Sequence, residues 1–272
     1  MLTAERVENA IREINAELST FKIRPENLVK FGNLPPDREF LGYVNGTGGA
    51  YVKFLALLVR KLNLANIVEL GNREGLSTLA IYDGLDAQGT LTTIDLVKDQ
   101  RYCPGRMWND ERVKFVFGDA CDLSILGDRI PLDIDLLFSD TVHFYSQIRD
   151  EFQVYQHLLA DTALIAVDDI NLNDKRKFFD ETPLLKWDLT ELCYVSGWGL
   201  ILFRRDSKQS PEARLAKAYK ASAEIWKRKY DEKERIISEL ERRKLENRLK
   251  EFLGRHKHVY ALVKKARSLF KV

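Results

Sequence analysis

Residues 68–78 read VELGNREGLST. An apolar run ends at Leu70, Gly71 allows a turn, Gly75 allows close backbone approach, and a helix opens near Leu76. A strand entering a glycine turn and then a helix begins a βαβ unit, and the helix N-terminus presents free amide donors. A dinucleotide site would carry G-x-G-x-x-G. This loop is Gly-x-x-x-Gly with Asn72, Arg73 and Glu74 inside it, a poor pyrophosphate cradle. Glu69 would repel a phosphate but suits a cationic amino group. Simple strand–turn–helix punctuation is the alternative reading of this loop taken alone.

Working outward, short apolar runs alternate with helical stretches. The pattern predicts strands near 66–70, 90–95, 113–117, 134–139, 162–167, 187–194 and 198–204, with helices near 76–85, 121–127, 145–159 and 174–180. Strands apolar throughout are typical of parallel sheets covered on both faces. The expected fold is α/β, a doubly wound, seven-stranded, mostly parallel sheet. Its last two strands flank a turn at Val195–Gly197 and are expected to pair as an antiparallel hairpin. Upstream, residues 3–19 space Val7, Ile11, Ile14 and Leu18 as an amphipathic helix, 22–49 read as loop, and 50–62 form an apolar helix. Three segments follow: 1–45 with a lid-like loop, 46–207 as the sheet domain, and 208–272 as a helical tail.

The chain has 272 residues and a formal net charge of +2. That figure averages −9 over residues 1–207 with +11 over 208–272. The composition excludes collagen-like and wholly disordered classes. No apolar run reaches about 18 residues, so no spanning helix is expected. The N-terminal stretch has no apolar core of a signal peptide. Cys103, Cys121 and Cys193 have no zinc spacing and fit a reducing, cytoplasmic setting.

Acidic residues close five predicted strands on one edge: Glu69, Asp95, Asp119, Asp140 and Asp168-Asp169. In open α/β sheets ligands bind at that edge. Asp95, at the end of the second strand, is placed to accept hydrogen bonds from both hydroxyls of a ribose, and Asp119 to meet an adenine amino group. A lone Asp is most often a surface turn or cap, a reading that weakens when one edge collects several.

The order ELGNREGLS, TTIDL, FGDA, DLLFSDTVHFY, ALIAVDDIN over about 45–205 resembles class I S-adenosylmethionine-dependent methyltransferases. It is most similar to the small metal-dependent O-methyltransferases, including the macrolide-sugar and cephalosporin-hydroxylase-like groups. The resemblance implies S-adenosylmethionine near Glu69, Gly71, Gly75, Ser77, Asp95 and Asp119. The bulky Arg73-Glu74 departs from that family's loop. It implies Asp140, Asp168 and Asp169 as ligands of a divalent metal, with Asn171 a fourth oxygen donor. Converging carboxylates repel unless a cation joins them, and oxygen donors favour Mg²⁺, Mn²⁺ or Ca²⁺. His143, spaced Asp-x-x-His from Asp140, takes the general base's place in the resemblance; a capping or packed histidine is the alternative. His157 reads as structural and Trp198 as core.

The tail admits several readings. Residues 212–251, free of Gly and Pro, form one long helix, either solvated with i, i+4 ion pairs or coiled with a second copy. Residues 252–272 carry six Lys/Arg, no acid and an apolar stripe, as in peripheral helices on anionic lipid at the inner membrane face. Nucleic acid is disfavoured, since no base-reading motif accompanies the charge. The sequence therefore leads to an S-adenosylmethionine- and Mg²⁺-dependent O-methyltransferase acting on a sugar or glycan hydroxyl, lipid-linked or free, in polysaccharide biosynthesis. A non-catalytic scaffold and a nicotinamide oxidoreductase are the competing readings.

Overall fold

The computed structural model describes residues 2–23, 49–99, 103–129, 131–193 and 195–255. The lid-like loop and the apolar basic end fall largely outside these residues. The elements are α1 (Ala4–Glu17), α2 (Ala50–Leu62), β1 (Asn66–Leu70), α3 (Leu76–Gly84), β2 (Thr90–Asp95), α4 (Gly105–Trp108), β3 (Val113–Phe117), β4 (Ile134–Ser139), α5 (Tyr145–Tyr155), β5 (Leu159–Asp168), α6 (Lys175–Glu181), β6 (Leu185–Asp188), α7 (Thr190–Cys193), β7 (Trp198–Arg204) and α8 (Pro211–Arg255). A 3-10 segment over Leu123–Arg129, kinked at Gly127, replaces the helix expected at 121–127.

The seven strands form one sheet in the order β3-β2-β1-β4-β5-β7-β6. β1 to β5 run parallel; β7 is antiparallel to both β5 and β6. Consecutive residues of β1, β4 and β5 are buried irrespective of side. Apolar runs without alternation therefore meant what they predicted, strands covered on both faces. α2 is apolar nearly all round, and Val52 and Phe54–Val59 are buried. Phe54 meets the edge of Trp198 at 5.1 Å, so Trp198 is core. Thr3 caps α1 through the amide of Arg6, and Lys61 of α2 pairs with Glu17 and Glu13 of α1 at 2.6 and 3.2 Å.

Two boundaries differ from expectation. The helix expected at 145–159 ends at Tyr155, and β5 begins at Leu159. Carbonyls at this corner have partners other than the helix. Ile134 N donates to Leu158 O, and the buried guanidinium of Arg214 donates to the carbonyls of His157, Leu158 and Leu159. The strand expected at 187–194 ends at Asp188. Asp188 Oδ1 accepts from the Thr190 amide at 3.0 Å, which starts α7. This is the preference of Asp for helix starts overriding an apolar run. β6 and β7 do pair antiparallel, with α7 between them.

The chain divides into two compact units, Met1–Ala223 and Glu224–Val272. The start of α8 belongs to the first. Arg214, Ala218, Ala221 and Ser222 are buried there, Arg214 also pairs with Asp133 at 2.6 Å, and Ser222 Oγ donates to Cys121 O at 2.7 Å. In the second unit, the described part of α8 carries the ion pairs Glu232–Arg235 and Glu239–Arg243 and exposes Tyr230, Ile236, Ile237, Leu240 and Leu245. Among the described residues no helix is long and apolar enough to cross a membrane.

Removing Arg214 strands three carbonyls and an aspartate. Arg214→Ala is expected to cost about 3 kcal/mol, roughly 6–12 °C in melting temperature. A chain ended after Ala223 is expected to melt with the full-length sheet domain, and one ended at residue 207 well below it. Equal melting of the two truncations in differential scanning calorimetry would contradict this packing.

Candidate functional site at the carboxyl edge of the sheet

Because β1 to β5 are parallel, their carboxyl ends share one edge. The strand order reverses between β1 and β4, and a crevice opens at such a reversal. A cleft of about 570 Å³ lies there, lined among others by Gly71, Arg73, Asp95, Gly118, Asp119, Asp140, His143, Asp168 and Asp169. That is the size of a small-molecule site. At its floor the two strand ends touch through bare backbone. Gly71 has φ +81°, and a Cβ built there would lie 2.2 Å from the carbonyl oxygen of Asp140. Glycine is required at this point both by conformation and by space.

On the β2 side, Asp95 organises the glycine loop. Its Oδ2 accepts from the amides of Asn72 and Arg73 at 2.9 and 2.7 Å, and its Oδ1 from Val97 N at 2.8 Å. A carboxylate has about four acceptor sites, so these bonds leave room for about one further donor from the cleft. The sequence reading gave Asp95 two ribose hydroxyls; the loop amides account for most of that capacity. Asp119 Oδ1 accepts from Cys121 N at 2.8 Å. Gly75 starts α3 at φ +89°.

Glu69, Gly75 and Ser77 are not among the residues lining the cleft. Glu69 is fully buried, and its Oε2 accepts from the hydroxyls of Thr78 and Thr93 at 2.6 and 2.5 Å. It braces α3 against β2. Burial pushes its pKa up to about 7, against the hydroxyls of Ser77, Thr78 and Thr93 that lower it. Among the described residues its Oε1 has no hydrogen-bond partner.

On the β4 and β5 side the acids converge. One ligand atom each from Asp140, His143 and Asp169 lie within 4.8 Å of one another. His143 Nε2 is 3.4 Å from Asp169 Oδ2, and Ser196 Oγ donates to Asp169 Oδ1. Asp168 lies beside this trio on the cleft wall, 5% exposed, with Oδ1 unpartnered among the described residues. Asn171 is occupied elsewhere: its Oδ1 accepts from Arg176 at 3.1 Å and its Nδ2 faces Thr190. It is not among the residues lining the cleft. His157 lends its carbonyl to Arg214.

Burial raises Asp140 well above the usual carboxylate range, Asp168 adds to the rise, and Lys175 opposes it. Burial and then Asp169 push Asp168 up to about 7. His143 is held below its ordinary pKa by burial, with Lys175 and Arg73 acting the same way and Asp169 against them. It is a neutral imidazole at neutral pH.

Two residues of this site escape sequence reading. Lys175 is wholly buried, its Nζ without a hydrogen-bond partner among the described residues, and its charge acts on Asp140, Asp168 and Glu151. Glu151 accepts from Ser139, Thr141 and Gln147 at 2.6–2.8 Å, which fixes the end of β4 to α5. A signal for Lys175 existed. Lys175, Phe178 and Phe179 share one face of α6 by their i, i+3, i+4 spacing, and that face is buried.

The raised carboxylates have a consequence for stability. Between about pH 4.5 and 7 the unfolded chain releases the protons of Glu69 and Asp168 while the folded chain keeps them. Stability therefore falls as pH rises through that window and levels off above it. Glu69→Gln is expected to show a smaller loss of melting temperature between about pH 5 and 8 than wild type. Parallel curves for the two proteins would contradict the buried-acid assignment.

Residues 68–170 match the methyltransferase domain family. No curated protein matches the chain. Among solved structures, an O-methyltransferase of tomaymycin synthesis from Streptomyces achromogenes, in complex with S-adenosylmethionine, is 18% identical. It aligns over 75% of this chain and 100% of its own with a TM-score of 0.50. A Podospora anserina methyltransferase with bound S-adenosylhomocysteine is 17% identical over 76% of this chain and 98% of its own, also at 0.50. These likenesses are of fold. Residues 68–170 are thus similar to the methyltransferase domain family, and the sheet has the Rossmann-like fold of these methyltransferase structures.

Proposed function

We propose that the chain is an S-adenosylmethionine-dependent O-methyltransferase whose acceptor is a hydroxyl of a sugar or surface glycan. The observation that carries the cofactor reading is the cleft at the β1/β4 reversal, with bare Gly71 at its floor and Asp95 and Asp119 on one wall. Bound there, S-adenosylmethionine would supply an electrophilic methyl group on a positively charged sulfur. The residues fit such a group. Gly71 and Gly118 leave backbone open to the cleft, Asp95 retains acceptor capacity for a ribose hydroxyl, and Asp119 stands on the same wall for an adenine amino group. Glu69 acts through the loop it braces and not by contact. Gly75 and Ser77 likewise shape the start of α3.

The opposite wall is built for an acceptor oxygen. Asp140, Asp168, Asp169 and His143 place three carboxylates and a neutral imidazole on the cleft, a donor set that fits a divalent cation. Such a cation, when bound, would lower the pKa of an acceptor hydroxyl and hold a neighbouring oxygen beside it. The chain's own task is alignment, since methyl transfer depends chiefly on the line from oxygen through carbon to sulfur. The acidic walls favour the cationic sulfonium, and the neutral imidazole can accept a proton or hold a cation. The sugar acceptor is supported by the resemblance to the macrolide-sugar group.

Calorimetric titration is expected to show S-adenosylhomocysteine binding, weakened at least about tenfold in Asp95→Ala, which loses both loop order and a cleft acceptor. No binding to folded wild type would contradict the cofactor reading. Incubation with S-adenosylmethionine and a panel of nucleotide sugars, glycans and catechols is expected to add one methyl mass to a sugar vicinal diol. Methylation of catechols alone would overturn the acceptor assignment.

A further inference from the structure

The acid wall bears on which ion the site takes. The donor atoms of Asp140, His143 and Asp169 all lie within 4.8 Å of one another, and His143 Nε2 and Asp169 Oδ2 are 3.4 Å apart. Around an ion with bonds of about 2.1 Å, adjacent donors stand about 3 Å apart and opposite donors about 4.2 Å. The trio is therefore within a small side-chain adjustment of that spacing. The Ser196 hydroxyl on Asp169 Oδ1 leaves Oδ2 as the oxygen turned to the imidazole.

A hydrogen bond from His143 to Asp169 with nothing else present accounts for less. It leaves the buried Asp168 Oδ1 without a partner among the described residues. Asp168 is 5% exposed and lines the same cleft. A buried carboxylate oxygen without a donor is costly, and a cation with its attached waters supplies one. The charges also balance. Asp140 and Asp169 offset a divalent ion, while the buried ammonium of Lys175 acts on Asp168.

We infer that His143 is a metal ligand, so that Asp140, Asp169 and His143 form a mixed oxygen–nitrogen site that selects a divalent transition ion such as Mn²⁺ over Mg²⁺. Mg²⁺ demands oxygen donors in near-ideal octahedral geometry and gives up water reluctantly, whereas imidazole nitrogen suits first-row transition ions. This assigns His143 to holding a cation and takes it out of the base's role. The Asp-x-x-His spacing on the loop after β4 then reads as two ligands from one segment, completed by Asp169 from the end of β5.

The test uses full-length protein and the metals alone. MnCl₂ and MgCl₂ are titrated calorimetrically into wild type and His143→Ala, and the frozen Mn²⁺ complexes are read by pulsed electron spin-echo modulation for directly bonded nitrogen. Wild type is expected to bind Mn²⁺ at least about tenfold more tightly than Mg²⁺ and to show imidazole nitrogen modulation. His143→Ala is expected to lose the modulation and most of the preference, with Mg²⁺ affinity changing less than about threefold. A Mn²⁺ complex of wild type without nitrogen modulation overturns the inference, as does failure of either ion to bind. Unchanged discrimination in folded His143→Ala overturns it too. The wild-type spectrum needs no variant, so it decides the matter even where His143→Ala fails to fold. Titration with S-adenosylhomocysteine separates this from the methyltransferase reading: nitrogen-coordinated Mn²⁺ in a protein that binds no nucleoside would contradict that reading and support the ligand set.

Discussion

The contact between Gly71 and the backbone of Asp140 is the constraint on which the site depends. The ends of β1 and β4 are locked by Asp140 N donating to Leu70 O at 2.8 Å, while Gly71 N donates to Ile94 O of β2 at 2.8 Å. One glycine thus ties the β2 side of the cleft to the β4 side. A methyl at this position would need the space of the Asp140 carbonyl, and the two walls would have to separate. With them would go the spacing between Asp95 on one wall of the cleft and Asp140 and Asp169 on the other. Under the proposed methyl transfer, a reaction of alignment, the distance between those walls is the quantity that Gly71 protects.

The acid wall shows how the fold tolerates charges that repel one another. Burial pushes Asp140 and Asp168 toward their neutral forms, with the charge of Asp168 adding to the rise of Asp140 and that of Asp169 to the rise of Asp168. Lys175 of α6, wholly buried and not among the residues lining the cleft, opposes both rises. Its helix is tied in place by Asp174, which accepts from Tyr145 N at 2.7 Å at the start of α5, and by Phe178 against Phe152 at 5.7 Å. The front of the wall faces the cleft. The −9 charge of residues 1–207 is in this sense only part of the electrostatics; a single buried lysine sets the local balance.

Much of this was legible in the sequence, for identifiable reasons. β1, β2 and β4 appear at the expected positions because strands buried on both faces have no competing periodicity, and the short apolar run of β3 appears where it was expected too. The acidic strand ends were legible because parallel strands force their carboxyl ends onto one edge. The boundaries around 156–161 and 185–193 were not, because long-range partners decide them: Arg214 takes the carbonyls of one, and the Asp188 cap together with pairing to β7 sets the other. The partners of Glu69 and Asn171 were not legible for a similar reason. Residue type marked them as polar groups at the ligand edge, but only tertiary packing shows that Glu69 turns to Thr78 and Thr93 and that Asn171 turns to Arg176. The tail helix begins to pack before residue 223, which charge alone could not reveal, since Arg214 counts as one more basic residue in a basic stretch.

The central claim is that one cleft, floored by Gly71, holds a nucleoside on the Asp95 wall and a cation on the Asp140 wall together. Anomalous diffraction from crystals grown with S-adenosylhomocysteine and Mn²⁺ tests it directly. The account predicts one manganese peak at about 2.1–2.3 Å from Asp140, Asp169 and His143, with the ribose beside Asp95 in the same cleft. A cleft without nucleoside density, or manganese bound away from these three residues, would contradict it.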